Sequence, residues 1–301
     1  MKFEDDLLKL LMEKGLSDGT IFLYTKILRK LNGDKPLKNL KFLQDPNVII
    51  ESIKDYKDTT QRNMLISIVS ILKTLKKDDL YKRYYQIMMD RTKIINDKPK
   101  NEKTETQKEN WINWDDVMKI YNNLKDNLKF SKKITEEQYN KLLDFMILSL
   151  YVLIPPRRNQ DYLKMVITNK STKDLNYNYL DLKKQQFIFN VYKTAKKDGQ
   201  LIVQIPEELL KVLKIYLKYH PDRLLLKSQQ IPFLVNFDGS PFKSINSITR
   251  ILNGIFKKKI GASMLRHIYL SSKYSNIIKE QEKDSKLMSH NLLTQKDYVK
   301  N

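Results

Sequence analysis

Apolar residues recur at helical spacing throughout the N-terminal third of the chain. Phe3, Leu7, Leu8, Leu10 and Leu11 mark one face of a first helix that Gly15 ends. Ser17 reads as the N-cap of a second helix, which carries Ile21, Leu23, Tyr24, Ile27, Leu28 and Leu31 and closes at Asn32-Gly33. A third helix starts near Pro46 and holds Val48, Ile49, Ile50 and Ile53. A fourth, capped by Thr59 or Thr60, holds Leu65, Ile68, Val69, Leu72 and Leu75, and a fifth runs from Asp78 through Tyr81, Tyr84, Ile87 and Met88. No alternating pattern interrupts them, so residues 1–95 are expected to form a small all-helical domain with Lys and Arg on its outer faces.

Residues 96–110, NDKPKNEKTETQKEN, contain no apolar side chain and no period, which reads as a solvated linker before a second domain over 111–301. Asn113 is expected to cap a helix over 114–124, and Thr135 a long apolar helix that Pro155-Pro156 stops after Ile154. The period then changes. Residues 179–182, 186–191 and 201–205 predict three short strands, and the turn Lys196-Lys197-Asp198-Gly199 makes the last two a hairpin. Helices resume at Pro206-Glu207. The expected fold is mainly α with a small antiparallel β-sheet, a helical domain followed by an α+β domain.

Charge changes the picture from fold to partner. Lys and Arg number 56 against 35 Asp and Glu, a formal net charge of +21 over 301 residues, with 41% hydrophobic residues to bury cores. The excess therefore belongs to folded surface and points to a polyanion, nucleic acid first. The abundance of Lys, Asn, Ile and Tyr is also the residue bias of an AT-rich genome, as a mobile element or DNA virus would carry. No cysteine is present, which excludes disulfides and thiol nucleophiles, and three histidines leave little for a metal site. No phosphate-binding glycine loop is found, so no cofactor is expected. The longest apolar stretch, 145–154, falls short of the ~18 residues a bilayer span needs, and the N-terminus has no secretory pattern. A soluble intracellular protein of cytoplasm or nucleus is expected.

Four short motifs follow one another in the second domain. Arg158 and Asp161 stand three apart after Pro155-Pro156-Arg157. Tyr192-Lys193-Thr194 ends the expected second strand, with Lys196 close by as a rival lysine. Ser263-Met264-Leu265-Arg266-His267 begins an apolar helix. Met288-Ser289-His290 precedes Tyr298. In order and approximate spacing over 113–301 these resemble the tyrosine recombinase, or phage-type integrase, family. There an Arg-x-x-Asp/Glu, a hairpin lysine, a His-x-x-Arg-His box and a Gly-His precede a nucleophilic tyrosine. Two positions depart from the pattern: Ser263 stands where the family usually has histidine, and Ser289 where it has glycine.

The resemblance implies a site-specific recombinase that cuts and rejoins duplex DNA through a covalent 3′-phosphotyrosine, without metal or cofactor. Arg158 and Arg266 would neutralise the scissile phosphate, since a guanidinium pairs with phosphate oxygens as a planar fork and keeps its proton. His290 would donate to the same phosphate, Tyr298 would attack it, and Lys193 would protonate the departing 5′ oxygen. Ser263 cannot serve as a base near neutral pH. Asp161 is expected to brace Arg158, and His267 to brace the fold. DNA grip is assigned to Lys57, Arg62, Lys73, Lys76 and Lys77 on the N-terminal helices and to Lys243, Arg250, Lys257, Lys258 and Lys259 near the second arginine. The implied partners are double-stranded DNA and three further copies in a tetramer on synapsed sites, with no membrane. Only Val299, Lys300 and Asn301 follow the tyrosine, so either assembly is expected to use other surfaces or the chain is shortened. A type IB topoisomerase-like enzyme and a catalytically inactive DNA-binding protein are the alternative readings.

Overall fold

In a computed structural model, which describes residues 2–97, 102–130, 133–170 and 174–298, the chain is mostly helical and divides into two compact units, residues 1–102 and 103–301. The first contains α1 (Lys2–Glu13), α2 (Asp18–Leu31), α3 (Pro46–Ile53), α4 (Asp58–Thr74) and α5 (Asp78–Asp97). Gly15 and Gly33 follow α1 and α2 with φ of 75° and 71°, left-handed positions that glycine occupies without steric cost. Ser17 Oγ accepts the Thr20 N–H at 3.3 Å at the start of α2. The start of α4 differs from expectation. Lys57, not Thr59 or Thr60, is the N-cap residue, and the turn is held by Gln61, whose Nε2 donates to the carbonyls of Lys54 (2.9 Å) and Tyr56 (2.6 Å). Leu7, Leu11, Leu28, Leu43, Ile68, Leu72 and Tyr84 are buried between the helices, and Tyr84 Oη donates to Leu43 O at 2.9 Å. Buried Glu4 is ion-paired with Arg29 and accepts the Leu37 N–H.

The second unit opens with α6 (Glu105–Asn110), inside the stretch expected to be a linker, whose residues 98–101 lie outside the described residues. The reason is a capping box: Thr104 Oγ1 accepts the Gln107 N–H while Gln107 Oε1 accepts the Thr104 N–H, which starts a helix without any apolar period. Next come α7 (Trp114–Asp126) and α8 (Glu136–Val152), the latter begun by a second box between Thr135 and Gln138. Helix α8 is the centre of the unit, with Tyr139, Leu142, Met146 and Tyr151 fully buried. After the two prolines, α9 (Asn159–Leu163) leads into the sheet.

The sheet is mixed and has five strands, not three antiparallel ones. The strands are β1 (Met165–Thr168), β2 (Asn178–Asp181), β3 (Gln186–Phe189), β4 (Leu201–Gln204) and β5 (Ile231–Pro232), in the order β4-β3-β2-β1-β5. β1 runs parallel to β2, with Met165 opposite Asn178, and the other pairings are antiparallel. β1 escapes sequence reading because it is four residues long and starts directly after the C-cap of α9, and β5 because it is two residues long and contains proline, tolerated at an edge. Between β3 and β4 the chain does not make a tight turn. It forms a short helix, α10 (Ala195–Asp198), closed by Gly199 at φ 72°. The remaining helices are α11 (Glu207–Tyr219), α12 (Ile245–Phe256), α13 (Ala262–Leu287) and α14 (Leu292–Tyr298). Among the described residues no helix is long and apolar enough to cross a membrane.

Candidate active site

Pro155-Pro156 ends α8 and leaves the next two residues outside helical geometry. Arg158, with φ −78° and ψ 147°, is the N-cap residue of α9. Its backbone is extended, and among the described residues no ion pair or side-chain hydrogen bond joins it to Asp161, although both line one cleft. The side-chain partner of the carboxylate is Arg157 instead: its Nε donates to Asp161 Oδ2 at 2.9 Å, and its Nη2 makes an ion-pair contact with the same oxygen at 2.9 Å. The Arg157 guanidinium carbon also lies 3.8 Å from the centroid of Phe189 and 5.6 Å from that of Tyr192. Burial pushes the Asp161 carboxyl above the usual range, while the charges of Arg157 and then Arg158 oppose that shift. Asp161 Oδ1 is buried without a hydrogen-bond partner.

The chain leaving β3 is held by a residue that carries no sequence signal. Asn178 is fully buried; its Nδ2 donates to the carbonyls of Asp161 (2.8 Å) and Val191 (2.9 Å), and its Oδ1 accepts the N–H groups of Asn190 (2.8 Å) and Val191 (2.7 Å). One amide thus joins α9 to the segment that leads into Tyr192-Lys193-Thr194. Tyr192 Oη reaches across α10 to Gly199 O at 2.7 Å. Lys193 lies in this connection and not on a strand, because β3 ends at Phe189; it is exposed, as is Lys196 on α10.

A cleft of about 400 Å³ opens here, lined by Arg157, Arg158, Asp161, Tyr192, Thr194 and Arg266, with Asp198 at its side. Residues more than a hundred positions apart in the chain meet in it. Among the described residues neither Arg158 nor Arg266 forms an ion pair or a side-chain hydrogen bond, so both guanidinium forks are available to an anion. Arg266 belongs to the first turns of α13, where Ala262, Leu265 and Ile268 are buried. Ser263 and His267 are exposed on the outer side of that helix. His267 does not brace the core: with Leu265 and Ile268 turned inward, a position between them faces out at about 100° per residue.

His290 and Tyr298 form a second cluster. The helix α13 ends in a turn with Ser289 at φ 55°, where the Ser289 N–H reaches Lys286 O (3.2 Å) and the His290 N–H reaches Ser285 O (3.0 Å). This explains why glycine suits the position that Ser289 fills. The rings of His290 and Tyr298 lie 5.7 Å apart. His290 Nδ1 is 3.3 Å from Met288 O, so that nitrogen carries the hydrogen, and Nε2 is buried without a partner. A neutral His290 therefore offers Nε2 as an acceptor. Tyr298 is 70% exposed. Lys193, Ser263, His290 and Tyr298 are not among the residues lining the arginine cleft.

Of the basic residues assigned to DNA, Lys57, Lys73, Lys76 and Lys77 in the first unit and Lys243, Arg250, Lys257, Lys258 and Lys259 in the second are exposed. Arg62 is not free: its Nε donates to Thr92 Oγ1 at 2.9 Å, tying α4 to α5. Lys257, at φ 52°, closes α12 in the left-handed conformation, and Lys258 Nζ donates to Glu109 O. Among the described residues no group of three or more His, Cys, Asp or Glu is placed to hold a metal ion. Compared with known proteins, the chain matches no family model and no characterised protein.

Proposed function

We propose that the protein is a DNA strand-transferring enzyme of the tyrosine recombinase type, which cuts and rejoins duplex DNA through a tyrosyl phosphodiester. The observation that carries this reading is the cleft in which Arg158 and Arg266 converge, neither of them in an ion pair among the described residues. Attack on a phosphodiester builds negative charge on the non-bridging oxygens, and fixed cations at that place lower the barrier more than a strong base does. Two guanidinium groups outside any ion pair, beside a polar loop, suit that task, and the exposed lysines of the same unit suit the flanking phosphates.

In the proposed step the phenolic oxygen of Tyr298 bonds to phosphorus and the bond from phosphorus to the 5′ oxygen breaks. The phenol must lose its proton as it attacks. Ser263 cannot take it, and His290 Nε2, on the ring beside Tyr298, is the acceptor this reading assigns. Lys193 gives a proton to the departing 5′ oxygen. The product keeps the bond energy in the phosphotyrosine, so a 5′ hydroxyl of another strand reverses every transfer and rejoins the DNA.

The test is a nicked duplex whose short 5′-hydroxyl fragment diffuses away after cleavage. Wild type is expected to remain covalently attached to the DNA and Tyr298→Phe is not, while both bind the duplex. Adduct formation by the Phe variant would remove Tyr298 from its role. A two-site joining assay separates a recombinase from a topoisomerase-like enzyme that only relaxes supercoils.

A further inference from the structure

Arg158 stands between two side chains that are both tied down. On one side Arg157 is held by Asp161 and lies on the ring of Phe189. On the other, Asn159 uses both ends of its amide: Oδ1 accepts the Tyr151 hydroxyl at 2.6 Å, and Nδ2 donates to Thr249 Oγ1 at 2.9 Å and to Ile245 O at 3.2 Å. The first bond reaches back to α8, where Tyr151 is fully buried. The other two reach α12, whose residues follow some 90 positions later in the chain.

Thr249 also faces the root of α13. Its Cγ2 lies 3.4 Å from where a Cβ on Gly261 would stand, and Gly261 is the N-cap residue of the helix that carries Arg266. The Thr249 hydroxyl gives its own proton to Ile245 O at 3.3 Å, which leaves the oxygen as the acceptor for Asn159. One side chain therefore meets both supports of the arginine cleft, the residue after Arg158 by a hydrogen bond and the start of Arg266's helix by packing. Asn159 and Thr249 are only half-buried, so water could satisfy either group. What their bond supplies is a fixed distance. That matters for catalysis, because cations stabilise a transition state only where its charge develops, and an error of 1 Å costs up to about a hundredfold in rate.

We infer that Asn159 and Thr249 are positioning residues: the bond between them locks α9 to α12 and so sets the spacing at which Arg158 and Arg266 meet one phosphate. Neither lines the cleft itself. Their effect falls on the rate of transfer and not on affinity for the duplex, which depends on many phosphate contacts elsewhere. This rests on the proposed strand-transfer function.

The experiment measures single-turnover adduct formation on the nicked duplex, at saturating protein, together with duplex affinity. Thr249→Val keeps the shape of the side chain and removes the acceptor. It is expected to form adduct at least about tenfold more slowly with affinity within about twofold of wild type, whereas Thr249→Ser, which keeps the oxygen, stays within about threefold in both. Asn159→Ala removes the same bond from the other side and is expected to be slowed at least as much. Adding Thr249→Val to Asn159→Ala should then cost nothing further, since the bond is already gone. A Val variant as fast as wild type, a Ser variant as slow as Val, or penalties that multiply in the double variant overturns the inference and leaves strand transfer standing. Wild type without adduct overturns both.

Discussion

Arg157 and Asp161 hold each other through a hydrogen bond from Nε and an ion-pair contact from Nη2, both 2.9 Å from one carboxylate oxygen, with the guanidinium lying on the ring of Phe189. This pair consumes one arginine of a consecutive two and leaves Arg158 open to the cleft. It also connects the start of α9 to β3, and so fixes where Arg158 stands relative to the Tyr192-Lys193-Thr194 segment. Asp161 is 2% exposed, so removing its partner leaves a buried carboxylate unpaired. Arg157→Met is expected to lower stability by about 3 kcal/mol, and Arg157→Lys by less, because lysine keeps charge but not the fork or the stacking. Urea unfolding of the three proteins measures this; equal midpoints for wild type and Met would show that the pair holds nothing.

Asn178 satisfies four backbone groups with one side chain. Leucine has a similar volume and none of the bonds, so Asn178→Leu leaves two buried N–H groups and two carbonyls without it. A loss of about 3 kcal/mol or more is expected. Hydrogen exchange at the Asn190 and Val191 amides gives the local readout: both should lose protection in the variant, and retained protection would contradict the hub.

Ser289 adopts φ 55° without the freedom of glycine. Ser289→Gly is expected to stabilise the end of α13 by about 0.5–1 kcal/mol, seen as a higher midpoint in thermal unfolding. A lower midpoint would mean that the serine hydroxyl contributes more than the backbone strain removes.

Asp144 on α8 is pushed by burial from the ordinary 3.8 up to about 6, with Lys257 opposing the shift. An acid whose pKa is higher folded than unfolded gives up its proton more readily in the unfolded chain. Its contribution to stability therefore declines as pH rises from about 4 to 6 and stays low above that. Asp144→Asn is expected to stabilise by about 1 kcal/mol at pH 8 and to have little effect at pH 4. Chemical denaturation at the two pH values checks it; an equal effect at both would place the carboxylate in water.

The helices were legible because their periods and stops are local: Gly15, Ser17, Gly33, Thr135 and the proline pair act within a few residues of where they stand. The strands were legible where apolar residues cluster between turns, as in β2, β3 and β4. They were hidden where a strand is short and borders another element, as in β1 and β5. Helix α6 was missed because a capping box starts a helix without an apolar face, although Thr104 and Gln107 are visible at the right spacing. In the site, Arg158 and Arg266 could be singled out by pattern, and the cleft gathers both. Arg157 was passed over although its four-residue spacing to Asp161 was readable. Asn178 could not be read at all, since its importance lies in backbone groups that only the fold brings to it. Two further details were hidden: a basic residue on a helix says nothing of whether a neighbour holds part of it, as Thr92 holds Arg62 Nε, or which side of the helix it faces, as with exposed His267.

Strand transfer differs from simple DNA binding in one atom, the one that becomes bonded to DNA. After trapping wild type on a nicked duplex, nuclease and protease digestion followed by tandem mass spectrometry identifies the modified peptide. The expected result is a nucleotide joined through its 3′ phosphate to Tyr298, abolished in Arg158→Ala and Arg266→Ala alone. A nucleotide on any other residue, or no modified peptide from DNA-bound wild type, would contradict it.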